Sequence, residues 1–125
     1  MKKLTKIQQR SLKKRLHNKA WKLFSSYIRQ RDKGVCFTCG IKKHWKEMHA
    51  GHFKHGRLDF DPMNIHCQCS GCNTYKHGNL GEYGVRLVKK YGLRRVQDLI
   101  LRANIHLGYS IEELEEIIKK YENYK

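Results

Sequence analysis

Residues 50–79, AGHFKHGRLDFDPMNIHCQCSGCNTYKHGN, concentrate side chains that bind metal ions or transfer protons. The stretch contains four histidines, three cysteines, two aspartates and three asparagines. Imidazole accepts a proton near neutral pH, thiolates bind Zn²⁺, and amide and carboxylate oxygens bind Mg²⁺. This composition predicts that a structural metal site and a reactive site share one short segment.

Four of the five cysteines form two C-x-x-C pairs, Cys36/Cys39 and Cys69/Cys72. In a reducing compartment such pairs favour metal over disulfides, and together they can supply four thiolates to one tetrahedral Zn²⁺. The 29 residues between the pairs would then be pinned at both ends. Buried reduced cysteines without metal are the alternative. Cys67 is a substitute for Cys69 as a ligand, but we expect it to be a small core residue.

The chain is strongly basic, with a formal net charge of +16 over 125 residues. Such self-repulsion indicates a polyanionic partner, with nucleic acid first and an anionic membrane second. No stretch approaches the roughly 20 apolar residues that span a bilayer, and MKKLTKIQQR lacks the apolar run of a secretory signal. We therefore expect a soluble, cytoplasmic protein that binds DNA and no membrane.

The length predicts a single domain, residues 1–125, of mostly helical α+β class. Residues 1–33 contain twelve Lys or Arg and only one acid, Asp32, with apolar positions at helical spacing. They predict one or two basic helices that end at Gly34 and contact phosphates. The residues chosen for this contact are Lys13, Lys14, Arg15 and Lys19.

Residues 35–79 show little helical periodicity until their end and predict short strands, turns and one short helix. Residues 80–125 return to helical patterning, with one helix ended by Gly92, another ended near Gly108, and a last helix after Ser110. Ser110 and Glu113 have the spacing of a capping box. Apolar positions on these helices offer surface for a homodimer or cover their own core: Leu99, Ile100, Ile111, Leu114 and Ile118.

The order Gly51-His52, Asn64-Ile65, Cys69-x-x-Cys72-Asn73 resembles the HNH, or ββα-metal, nuclease motif. From about Cys36 to the end, HAGHF, FDPMNIHCQCSGCNTYKHGNL and YGVRLVKKYG resemble the phage NinG (Rap) recombination endonucleases. The resemblance implies a central ββα-metal motif braced by zinc knuckles and flanked by helices. It also implies a DNA endonuclease, a hydrolase that cleaves branched DNA such as Holliday junctions, located in the cytoplasm of a bacterial host.

The resemblance assigns a role to each motif residue. His52 would be the general base, and Asn64 would orient it by bonding its other ring nitrogen or the loop backbone. Asn73 offers an amide oxygen to Mg²⁺ or Mn²⁺, ions that prefer oxygen ligands. Lys76, one helical turn beyond Asn73, would hold a phosphate of the cleaved strand.

Position 51 departs from the motif, because many HNH nucleases carry an Asp or His there as a second metal ligand. Gly51 has no side chain, so we choose His49, which lies two residues earlier on the same face of a strand. Asp59, Asp61 and His77 are the substitutes. The other histidines are expected to be surface or packing residues: His17, His44, His55, His66 and His106.

Three other functions fit parts of the pattern. A general HNH enzyme that nicks duplex DNA shares the same motif. A non-catalytic zinc-ribbon protein would have the paired cysteines and the basic charge without needing His52, Asn64 and Asn73 in register. An RNA- or ribosome-associated zinc protein fits the charge equally well, although no RRM-like aromatic motif is present. Because one such active site cuts one strand, junction resolution would need two, and a homodimer is the simplest arrangement.

Overall fold

The computed structural model describes residues 3–105 and 107–124. It is a mostly helical α+β fold with one two-stranded sheet among these residues, as the sequence predicts. The helices are α1 (Lys6–Arg31), α2 (Leu80–Tyr91), α3 (Leu93–Ala103) and α4 (Ile111–Tyr121). The strands are β1 (His49–His52) and β2 (Ile65–Gln68), with a 3₁₀ turn at Trp45–Glu47 and a π-helical turn at Gly71–Tyr75.

The chain forms two compact units, and α1 contributes to both. One comprises Met1–Tyr27 and Tyr109–Lys125, and the other comprises Ile28–Gly108. The three sequence segments do not coincide with these units, because the basic N-terminal segment shares a unit with α4. The single domain predicted from length stays a prediction.

In the first unit, aromatic rings join α1 to α4. The Phe24 ring meets the Tyr121 ring edge-on at 5.1 Å between centroids, and the Tyr27 and Tyr121 centroids lie 4.9 Å apart. The predicted capping box is confirmed: the Ser110 hydroxyl accepts from the Glu113 N–H, and the Glu113 carboxylate accepts from the Ser110 N–H. The capping box satisfies two backbone N–H groups at the start of α4 that have no hydrogen-bond partner within the helix.

In the second unit, β1 and β2 pair antiparallel, with His49 opposite Gln68 and His52 opposite Ile65. All four residues of β2 are buried. The hydroxyl of Tyr83, a core residue of this unit, donates to the Gly51 carbonyl of β1 at 2.8 Å. Asp32, the residue after α1, accepts the Cys67 N–H at 2.8 Å. This hydrogen bond ties β2 to the C-terminal end of α1.

Two of the glycines that were predicted to end helices do so. Gly34 and Gly92 have φ values of 71° and 91°, a region that glycine adopts without steric cost, and they follow α1 and α2 respectively. The prediction that the next helix ends near Gly108 is wrong, since α3 ends at Ala103. Asn104 and Ile105 close it with backbone bonds to Leu101 and Arg102.

The structure shows where the apolar positions of the C-terminal helices lie. Leu99, Leu114 and Ile118 are buried within the chain's own packing, and Ile100 and Ile111 are partly buried. The three buried positions therefore pack within the chain, which was the alternative to a dimer surface. Among the described residues, no helix has the length and apolar content needed to cross a bilayer.

Candidate functional site

The four predicted zinc ligands come together at the base of the hairpin. We call Cys36, Cys39, Cys69 and Cys72 the cysteine cluster; their sulfur atoms all lie within 4.8 Å of one another. Two of them, Cys39 Sγ and Cys69 Sγ, are 3.7 Å apart. A tetrahedral Zn²⁺ with bonds of about 2.3 Å separates its sulfur ligands by about 3.8 Å. The cluster therefore fits a zinc ion, and it could hold one.

Hydrogen bonds and burial set the charge of this cluster. Burial raises the pKa of the Cys36 thiol, but hydrogen bonds from Thr38 and from backbone groups outweigh it and lower the pKa to about 6. At Cys39 a backbone bond from Ile41 lowers the pKa, whereas burial and the neighbouring sulfurs raise it to about 12. The Cys36 thiol thus loses its proton more readily than the Cys39 thiol. Zn²⁺ binding would release the protons of its ligands, because only thiolates bind the ion.

Cys67 is excluded from the cluster by its position on the hairpin. It is fully buried, packs with Cys36, Cys72 and Met48, and burial raises the pKa of its thiol to about 12. It is a core residue, as expected.

Asn73, next to the cysteine cluster, contacts the first residue of β1. Asn73 directly follows Cys72, and its backbone N–H donates to the Cys69 carbonyl at 2.9 Å within the zinc-knuckle turn. Its side-chain nitrogen lies 3.1 Å from His49 Nδ1. An amide nitrogen only donates, so Nδ1 is the acceptor and the His49 proton resides on Nε2. The two residues predicted to bind Mg²⁺ or Mn²⁺ are therefore in contact.

The missing side chain at Gly51 has a steric cause. A Cβ on Gly51 would collide with Gln68 Oε1 and would lie 3.1 Å from Asn73 Oδ1. An Asp or His at this position would therefore displace the Gln68 side chain. Gln68 is fully buried, and its amide nitrogen donates to the Gly78 carbonyl and to Thr38. Its Oε1 is the buried side-chain atom without a hydrogen-bond partner in the described part of the chain.

His52, at the end of β1, belongs to a second group of possible ligands. His52 Nε2 lies 3.2 Å from Asp59 Oδ1, and the His52 and His55 rings stack with centroids 4.5 Å apart. We call His52, His55 and Asp59 the His–Asp cluster. Alternation along β1 places His52 on the face opposite to His49 and Gly51. The structure thus pairs the predicted base with His55 and Asp59, and pairs His49 with Asn73.

Asn64 fixes the loop between the strands rather than the His52 ring. Its side chain accepts from the Lys54 N–H at 2.9 Å and donates to the carbonyls of Lys54 and Leu58 at 2.7 and 2.9 Å. Asn64 is fully buried. Asn64 was predicted to bond either the other ring nitrogen of His52 or the loop backbone. These three hydrogen bonds are to the loop backbone.

The other substitute ligands lie elsewhere. Asp61 accepts the Met63 N–H at 2.8 Å and pairs with Arg102 at 2.9 Å, so it shapes the turn before Asn64. His77 is exposed in a left-handed conformation after the π-helical turn.

The cationic residues chosen for DNA contact are exposed. Lys13, Lys14, Arg15 and Lys19 are exposed on α1. Lys76 is also exposed, but the α-helical geometry assumed for it is wrong: its N–H donates to the Gly71 carbonyl at 2.9 Å and closes a π-helical turn. It therefore does not lie one regular α-helical turn beyond Asn73.

His66 is a packing residue, as expected, and it sits in a polar network. The Tyr83 hydroxyl donates to the Gly51 carbonyl at 2.8 Å, so it accepts from His66 Nδ1 at 3.2 Å. His66 Nε2 then accepts from the Tyr91 hydroxyl at 2.9 Å. Burial lowers the pKa of His66 to about 3, so it is neutral at physiological pH. His106 lies outside the described residues.

Sequence reasoning missed the grouping of His55 and Asp59 with His52, and the buried oxygen of Gln68. The three-residue spacing of His52 and His55 brings side chains together in a helix, but this segment was predicted to form strands and turns, so the spacing did not indicate a pair. No local pattern indicated a role for Gln68. Its side chain points toward Gly51 only because of the way in which β1 and β2 pair.

The comparisons with known proteins agree with one another. The family model described as Bacteriophage Lambda NinG protein matches residues 1–125. Protein ninG of Escherichia phage 933W is 34% identical over 94% of this chain and 61% of its own length. The ninG proteins of Escherichia phage lambda and Salmonella phage P22 are 33% and 32% identical, each over 94% of this chain and 60% of their length. The chain thus spans about three fifths of the length of these relatives. No solved structure matches it significantly. The family match and these identities show that the chain belongs to the NinG family of bacteriophage lambda-type proteins.

Proposed function

We propose that this protein is a metal-dependent DNA endonuclease of the HNH type that cleaves branched recombination intermediates such as Holliday junctions. The observation that carries the proposal is the contact between Asn73 and His49 beside the cysteine cluster. The zinc-knuckle turn fixes Asn73, β1 carries His49, and His52 ends the same strand. Phosphodiester hydrolysis needs oxygen and nitrogen donors for a metal, and a base. Here β1 and the turn beside it carry all three, with His52 on the opposite face of the strand from His49.

The residues around Gly51 fit a hard divalent cation. Asn73 Oδ1 and Gln68 Oε1 both lie near the point where a Cβ on Gly51 would stand, and Gln68 Oε1 has no partner among the described residues. Amide oxygens are ligands that Mg²⁺ and Mn²⁺ accept. Asn73 Oδ1 would hold the ion, and Gln68 would add an oxygen in place of the side chain absent at position 51. His49 would join them by exchanging the hydrogen bond that Nδ1 accepts from the Asn73 amide for the ion.

Each residue has a defined task in the proposed reaction. Mg²⁺ or Mn²⁺, when bound, supplies positive charge that stabilises the leaving 3′ oxygen. His52 accepts the proton of the attacking water, since a neutral imidazole is a base of suitable strength near pH 7. Asn64 holds the loop against which His52 rests. The exposed cations of α1 and Lys76 bind backbone phosphates without reading bases.

The direct test is His52→Ala with Mg²⁺ on branched DNA. Removal of the base should slow cleavage by about 10²-fold or more, while DNA affinity and the zinc held by the cysteine cluster stay unchanged. His44→Ala, which removes an exposed imidazole elsewhere, is the matched control and should cleave normally. Cleavage by His52→Ala at the wild-type rate would remove His52 from the mechanism. DNA binding with no cleavage by the wild type would leave a non-catalytic zinc-braced binding protein.

A further inference from the structure

We infer that the His–Asp cluster is a transition-metal site, separate from the cysteine cluster and from the Mg²⁺ site proposed around Asn73. It would take Zn²⁺ or Co²⁺ through His52, His55 and Asp59. The inference concerns a different ion and a different ligand set from the proposed nuclease, and it does not depend on nuclease activity.

Distances within the cluster suit a small ion. One ligand atom from each residue lies within 4.8 Å of the other two. His52 Nε2 and Asp59 Oδ1 are 3.2 Å apart, whereas two ligands bonded at about 2.0 Å to a tetrahedral ion are about 3.3 Å apart. Two of the three positions already have the spacing of zinc ligands. His55 is exposed, so its side chain can rotate to complete the set.

The backbone that carries these side chains is fixed by neighbouring hydrogen bonds. Asp59 Oδ1 accepts the Gly56 N–H at 3.0 Å, which closes the turn that directly follows His55. The buried Asn64 side chain bonds Lys54 and Leu58, the residues just before His55 and Asp59. His52 lies in the sheet, opposite Ile65. The ligands are therefore mounted on a braced loop and a strand end.

The donor set determines the class of ion. Two imidazole nitrogens and one carboxylate oxygen favour Zn²⁺ and Co²⁺ over Mg²⁺, which prefers oxygen ligands throughout. Three protein ligands leave a fourth position for water or a phosphate oxygen.

The site also has a consequence for the proposed nuclease. Nε2 of His52 would be occupied by the ion and would be unavailable to accept a proton. Zn²⁺ in the His–Asp cluster would therefore inhibit Mg²⁺-dependent cleavage.

The test is a Co²⁺ titration of the full chain after its cysteine cluster has been loaded with one equivalent of Zn²⁺. Wild type should bind one further equivalent of Co²⁺, with visible d–d absorption and without the thiolate-to-metal charge-transfer band that a cysteine-bound Co²⁺ shows. His55→Ala should weaken this binding by about tenfold or more and Asp59→Asn should also weaken it, while His44→Ala should not. His55 is exposed, so its removal should leave the fold intact.

Two results would overturn the inference: no second equivalent bound by wild type, or equal Co²⁺ affinity in wild type and His55→Ala. Neither result bears on the nuclease proposal, because the titration contains no DNA and measures no cleavage.

Discussion

The side-chain nitrogen of Asn73 lies 3.1 Å from Nδ1 of His49, although the two residues are 24 positions apart in the chain. The hairpin register explains this proximity, because Gln68 ends β2 opposite His49 and the turn that carries Asn73 follows β2 directly. Zinc in the cysteine cluster would brace that turn through Cys69 and Cys72 and so hold Asn73 beside His49.

Asn73→Ala should raise the Mg²⁺ concentration needed for half-maximal cleavage by about tenfold or more, since the variant lacks an oxygen donor. The measurement is the cleavage rate against Mg²⁺ concentration. Thr74→Ala, at the exposed neighbouring position, is the control and should leave the curve unchanged. An Asn73→Ala curve that coincides with wild type would exclude Asn73 as a ligand.

Cys39→Ser and Cys72→Ser should each lose the single bound Zn²⁺ and unfold the second unit. Structural zinc can contribute roughly 10 kcal/mol or more to the folding of a small module. Metal analysis and circular dichroism measure both effects. Cys67→Ala is the matched control, because Cys67 is buried outside the cluster, and it should retain one zinc. A folded wild-type sample without zinc would contradict this account.

Acid should destabilise the protein through His66. Its pKa falls from 6.5 to about 3 in the folded protein because burial disfavours the charged ring. The unfolded chain therefore takes up a proton that the folded chain does not. The contribution of neutral His66 to the free energy of unfolding is fully present above pH 6.5 and is lost as the pH falls from 6.5 toward 3. At pH 5 the loss is about 2 kcal/mol.

Denaturant unfolding at pH 7 and pH 5, with zinc content checked at each, measures this loss. His66→Gln removes the titrating ring, so its stability should change less between the two pH values even if it is lower at both. Equal pH dependence in the two proteins would show that His66 is not the cause.

Replacement of the four exposed cations of α1 should flatten the salt dependence of DNA binding. Removing one phosphate interaction reduces the slope of log affinity against log salt by about 0.9. The variant changes Lys13, Lys14, Arg15 and Lys19 to Gln, and the measurement is affinity across a salt series. Lys119→Gln and Lys120→Gln on α4 form the control. If the control flattens the slope by as much per charge, α1 is not the specific DNA-binding surface.

The sequence predicted those features that local patterns determine. Paired cysteine spacing located the cysteine cluster, and the Ser110–Glu113 spacing located the start of α4. Both signals act over a few residues, so they need no knowledge of the tertiary fold.

Features that depend on register across the hairpin were not predictable. The unpartnered oxygen of Gln68 faces Gly51 only because β1 and β2 pair with His49 opposite Gln68. His55 joins His52 only because the Asn64 side chain bends the loop. The sequence left two roles open for the apolar faces of the C-terminal helices, because such a face has the same pattern whether it covers its own core or a partner.

Cleavage of a synthetic four-way junction is the most direct test of the proposed function. The junction and a linear duplex of the same sequence, labelled on each strand in turn, are incubated with the protein and Mg²⁺. We predict paired cuts in opposing strands of the junction, slower cutting of the duplex, and a protein dimer on the junction. Equal cutting of both substrates by a monomer would contradict junction resolution and indicate a general nicking enzyme, and absence of cutting would contradict the nuclease itself.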